Sequence, residues 1–129
     1  MIYIVINAAA IFTATCAALA FGAVYRRLVG NQRLPDRGTA IIAFIAEFWL
    51  CSILAGALIL APAKGSVWTM TLGSAFVIWV GFVAPVLVVT YRARRMRWRT
   101  ALADMVHWLG AMLIMAMVLR LIGLSAPPV

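Results

Sequence analysis

Polar side chains are scarce along this chain, and they come in bunches. Four apolar stretches, about residues 2–25, 39–61, 67–91 and 100–124, are separated by short segments rich in Gly, Pro and Arg. Each reaches the roughly 20 mostly apolar residues that cross the hydrocarbon of a bilayer. No water is available inside lipid to bond a backbone amide, so each stretch is predicted to be an α-helix. The alternating pattern of a transmembrane β-strand is missing.

The breakers set the topology. GNQRLPDRG (Gly30 to Gly38) and APAKGS (Ala61 to Ser66) interrupt the apolar pattern, and SAPPV cannot prolong the last helix. Connections this short make sequential helices antiparallel. The expected fold is therefore an all-α, up-down bundle of four transmembrane helices in one domain, residues 1–129.

Composition sharpens this picture. Two-thirds of the 129 residues are apolar and 11% are charged, whereas a soluble domain carries about 25% charged residues. The net charge is +8, and nine of the eleven basic residues fall in two blocks, Arg26, Arg27, Arg33 and Arg37, then Arg92, Arg94, Arg95, Arg97 and Arg99, with only Lys64 and Arg120 elsewhere. Aromatic residues that could stack on bases are nearly absent between these arginines, which argues against nucleic acid. Basic blocks between spans mark cytoplasmic loops. The expectation is a multi-pass protein of the bacterial inner membrane, with both termini periplasmic. Its arginines face the cytoplasm, where they attract anionic lipid. Cys16 and Cys51 lie within spans without metal-ligand or disulfide spacing, so neither a metal nor another cofactor is expected.

Small residues recur at every fourth position of the first span, at Ala10, Ala14, Ala18 and Gly22, with a shorter series at Ser52 and Gly56. Such a stripe lets another helix approach closely, whether from this chain, a second copy or another membrane protein. Gly81 and Pro85 predict a kink in the third span. Asn7, near the outer end of the first span, is expected to meet headgroup water.

Ionisable side chains inside spans are where function is sought. Glu47 lies eight residues past Thr39, and His107 eight past Arg99. Both are thus roughly 12 Å along their helices from the arginine-rich face. The matched depth predicts a buried polar pair across the bundle. Asp104, one turn before His107, is expected either to complement the start of the last helix or to reach the arginines. Tyr25 and Tyr91 are expected to close their helices at the membrane edge.

Several motifs resemble known families. The run WVGFVAPVLVVTYRARRMRW through ALADMVHWLGAMLIMAMVL resembles a bacterial family of small four-span membrane proteins catalogued as domain of unknown function seventeen-sixty-one. The likeness rests on Gly81 to Ala84, the basic hairpin, the polar start of the last helix, its Met-rich end and the Gly22-x-x-Tyr25 ending of the first helix. Val24 and Arg26-Arg27 depart from that family's usual Trp and Ser-Pro. The resemblance implies a membrane bundle and no particular activity. Ile78 to Gly81 is similar to a signature of small multidrug-resistance transporters, whose defining acid lies in the first helix, where this chain has none. Ala103-x-x-x-His107 resembles the pigment-binding pattern of light-harvesting polypeptides.

No nucleophile–base–acid set or phosphate loop appears, so an enzyme is not expected. The leading expectation is an accessory or scaffolding component that acts through helix packing. Alternatives are a proton-coupled small-molecule transporter using Glu47 and His107, and a pigment-binding subunit with His107 as ligand.

Overall fold

The computed structural model describes residues 1–30 and 35–128. Among these residues the elements are α1 (Ile2–Ile6), α2 (Ala8–Gly30), α3 (Arg37–Leu60), α4 (Val67–Ile78), a π turn (Trp79–Val83), α5 (Ala84–Ala93) and α6 (Trp98–Ile122). Four stretches are long and apolar enough to cross a membrane: Ala8–Gly30, Arg37–Leu60, Val67–Ala93 and Trp98–Ile122. The chain is an all-α four-helix bundle and a multi-pass membrane protein.

Each boundary has a local cause. Asp36 caps α3, its carboxylate accepting hydrogen bonds from the Gly38 and Thr39 amides at 3.0 and 3.3 Å. The side-chain hydroxyl of Thr39 and these amides hold the Asp36 carboxyl below its usual value. The first span is longer than the sequence suggests, running five residues past Tyr25. It is interrupted once, at Asn7. There the buried side chain donates to the Tyr3 and Ser125 carbonyls, both at 2.9 Å, and accepts from the Ser125 amide at 2.8 Å. Asn7 therefore clasps the tail after α6 instead of facing headgroup water.

The third span carries its irregularity as a π turn. In an unbroken α-helix the Pro85 ring would strike the Gly81 carbonyl. Here the Ala84 amide bonds back to the Trp79 carbonyl, five residues earlier, which widens the turn ahead of the proline. The Trp79 indole N–H donates to the Met105 carbonyl at 3.0 Å, tying that turn to α6. After α5 the chain reverses tightly. The Met96 amide reaches the Tyr91 carbonyl at 3.1 Å and the Arg95 amide reaches that of Arg92 at 3.2 Å. These two bonds make a Schellman motif, with Arg95 at φ 54° where glycine is usual.

α6 is the hub. It packs on α2, α3, α4 and α5, and its most extensive contact is with α2. The core, Ile11, Cys51, Leu54, Met112, Met115 and Leu119, fills the half of the bundle away from the two basic blocks. Several Ser and Thr hydroxyls in the spans bond their own helix, as Thr15 does to the Ile11 carbonyl at 2.8 Å and Ser52 to that of Phe48 at 2.8 Å. They thereby satisfy themselves without water. The third span is peripheral: 6% of its most apolar stretch is buried, against 28 to 33% in the others.

The stripe Ala10, Ala14, Ala18 and Gly22 is buried along its whole length. Its close approaches are made inside the chain. A Cβ added at Gly22 would lie 2.7 Å from the His107 ring, and one at Gly56 would lie 3.0 Å from the Tyr3 hydroxyl.

Candidate functional site

The half of the bundle nearer the arginines is built differently from the core. Between the last turns of α2 and the first turns of α6 lies a cleft of about 790 Å³. Tyr25, Arg26, Arg99, Asp104, His107 and Trp108 are among the residues that line it. Arg26 and Arg99 come from the two different basic blocks, so the fold brings those blocks to one face. Arg92 and Arg95 line a neighbouring hollow that shares Met96 with the cleft. Arg33 lies outside the described residues.

His107 is 8% exposed and sits in an aromatic cage. Phe21 stacks nearly parallel to it at 6.1 Å between centroids, with Tyr25 and Trp108 both at 5.5 Å. Its Nε2 abuts Gly22 on α2, a close approach between the two helices that a missing side chain permits. Arg26 folds back along α2, its Nε donating to the Gly22 carbonyl at 3.2 Å. One of its terminal nitrogens would be 3.5 Å from a Cβ at Gly22. The guanidinium and the imidazole thus crowd the same point.

Glu47, on α3, is 2% exposed. It lies one turn before Cys51, whose Sγ is 3.7 Å from the Ile11 carbonyl on α2. Arg26 is close enough to act electrostatically on both Glu47 and His107. The expected pair is therefore buried on both sides, yet the two groups do not hydrogen-bond. Among the described residues, Glu47 Oε2 and His107 Nε2 are the buried side-chain atoms without any hydrogen-bond partner. Each such atom costs on the order of 1–3 kcal/mol in an apolar setting. Native proteins keep few of them, and those they keep call for an explanation.

Asp104 departs from expectation. Because α6 begins at Trp98, Asp104 lies beyond its first turn and cannot complement the helix start. Its carboxylate instead accepts a hydrogen bond from the Tyr91 hydroxyl of α5. Tyr25 likewise turns inward, its hydroxyl donating to the Ala103 carbonyl at 2.8 Å. Neither hydroxyl is turned out to the membrane edge, where the depth of both tyrosines would place it. Their spacing from the chain breaks was a fair signal of depth, but depth does not tell which way a ring points.

Comparison with known proteins returns one match. A family model described as "Protein of unknown function (DUF1761)" matches residues 2–120. No curated protein and no solved structure matches the chain.

Proposed function

The chain belongs to the DUF1761 family of proteins of unknown function, and from that premise we propose that it is a proton-linked carrier of a small solute. One observation carries the reading. Two ionisable side chains, Glu47 on α3 and His107 on α6, are buried within the bundle with Oε2 and Nε2 unpartnered, and His107 borders an open cleft that Arg26 also lines. Ionisable groups within a membrane that face a bundle interior are typical of proton relays and solute paths. A purely structural clasp would satisfy itself, as the span hydroxyls do. The π turn at Trp79–Val83 supports the reading, because it is tied to Met105 in the same half of the bundle, and π turns recur at functional sites.

The reading includes an orientation. In the bacterial inner membrane the cleft opens to the cytoplasm, both termini are periplasmic, and the apolar core is the barrier on the far side. The arginine distribution supports this. Scaffolding through the small-residue stripe is the weaker reading, since that stripe is occupied within the bundle. Pigment attachment is weaker still, because no space is left beside His107 Nε2 for a macrocycle.

The test uses proteoliposomes that hold a pH-sensitive dye and a small-molecule extract of bacterial cytosol. The expected outcome is decay of an imposed pH gradient that needs both protein and extract and is abolished by Glu47→Gln. Equal decay with the wild type and with Glu47→Gln would end the proposal.

A further inference from the structure

We infer that the cleft between the end of α2 and the start of α6 is an oxyanion site, which takes a phosphate group through Arg26 and Arg99. The inference rests on the carrier reading only in using the same cleft, and it assigns the chemical class of the solute.

Charge is the first reason. Two arginines and one aspartate line the cleft, and Arg92 and Arg95 stand at the adjoining hollow. The aspartate is already engaged, since Asp104 accepts the Tyr91 hydroxyl from α5. Among the described residues no arginine forms a salt bridge. Four guanidinium groups around a recess with low-dielectric walls draw anions toward it.

Geometry is the second reason. The bond from Arg26 Nε to the Gly22 carbonyl fixes its guanidinium with the terminal nitrogens beside the imidazole. Arg99 approaches from the other helix. Donors presented to one cleft by both α2 and α6 suit a tetrahedral group with three or four oxygens. A single carboxylate would be served by one guanidinium fork. The buried His107 ring forms part of the cleft wall, its Nε2 turned against Gly22. The volume, about 790 Å³, falls within the usual range for small-ligand sites.

A phosphate group can arrive on a soluble compound or on an anionic lipid, and the experiment separates these sources. The intact protein is placed in phosphatidylcholine nanodiscs and titrated calorimetrically with inorganic phosphate. The same titration is repeated in discs that contain phosphatidylglycerol. Saturable binding is expected in phosphatidylcholine. Arg99→Gln, an exposed position, should weaken it about tenfold, as loss of one charge-assisted contact implies. Arg26→Lys should weaken it too, because a point charge replaces the fork. Arg27→Gln removes a neighbouring charge outside the cleft and should leave it unchanged.

Competition by phosphatidylglycerol would identify the lipid headgroup as the source, and persistence of binding would identify a free solute; both support the site. Absence of saturable phosphate binding together with absence of phosphatidylglycerol enrichment around the protein overturns it. So does an equal loss in Arg27→Gln and Arg99→Gln. The titration involves no proton gradient. A protein that binds phosphate but leaves the gradient of the liposome assay intact refutes the carrier alone. One that dissipates that gradient without binding phosphate refutes the oxyanion assignment alone.

Discussion

Gly22→Ala adds one carbon where α2 closely approaches the His107 ring. The new Cβ would lie 2.7 Å from His107 Nε2 and 3.6 Å from its Cε1, against 3.4 Å or more in ordinary van der Waals contact. A flexible chain end could swing away, but this ring is held by Phe21, Tyr25 and Trp108. The strain must then be taken up by separating α2 from α6. Overpacking of this kind costs about 1–3 kcal/mol. Alanine returns about 1 kcal/mol over glycine within a helix. The net effect of the single substitution is a loss of about 0–2 kcal/mol, too small a margin to interpret alone. A double-mutant cycle removes the ambiguity. In a His107→Ala background the clash is gone and Gly22→Ala becomes stabilising, so the coupling energy should be about 1–3 kcal/mol. Equilibrium unfolding in mixed micelles, followed by far-ultraviolet circular dichroism, measures all four proteins. Gly73→Ala serves as the control, with nothing within 4 Å of the added carbon, and should stabilise in both backgrounds. Additivity within about 0.5 kcal/mol would refute the claim that Gly22 and His107 meet.

Two further outcomes follow from the loops on the arginine side. Arg95 holds φ 54°, and a left-handed conformation costs a side-chain-bearing residue about 1–2 kcal/mol. Arg95→Gly should therefore raise unfolding stability by about 1 kcal/mol, part of the relief being offset by the greater freedom of unfolded glycine. No gain in the same unfolding assay would show the reversal to be unstrained. For Asp36 the folded pKa is lowered from 3.8, chiefly by the Thr39 hydroxyl. Its contribution to the first turn of α3 is thus complete above that unfolded value and is lost as pH falls through the lower folded one. Amide shifts of Gly38 and Thr39 should titrate below pH 3.8 and lose that titration in Asp36→Asn; a midpoint at or above 3.8 would contradict the cap.

The four spans were legible because hydropathy and breaker residues are strong one-dimensional signals. Axial depth was legible as well. Counting from the arginine blocks placed Glu47 and His107 in the interior of the same half of the bundle, and both are buried there. Rotation about each helix axis was not legible. In a soluble bundle the polar face reveals which side is solvated, but lipid is as apolar as a protein core, so that contrast disappears. Only small and polar residues then report the facing. The stripe from Ala10 to Gly22 pointed to a close neighbour without naming α6. Tyr25, Tyr91 and Asn7 sat at interfacial depths, where outward and inward orientations read alike. The π turn escaped for a related reason: Pro85 announces a disturbance, while the form it takes depends on what α6 offers Trp79.

The dominance of the α2–α6 contact has a consequence for biogenesis. Of these four spans, the one synthesised earliest has its main partner in the one synthesised latest, so the bundle cannot close until all four have been made. In the interval α2 has only α3 to lean on, and the lipid must shelter Glu47 with no imidazole yet opposite. Quality-control proteases that survey the bilayer would meet the nascent protein in that half-assembled form. Changes that delay insertion of the final helix should therefore deplete the protein in cells even where the finished fold is as stable as before.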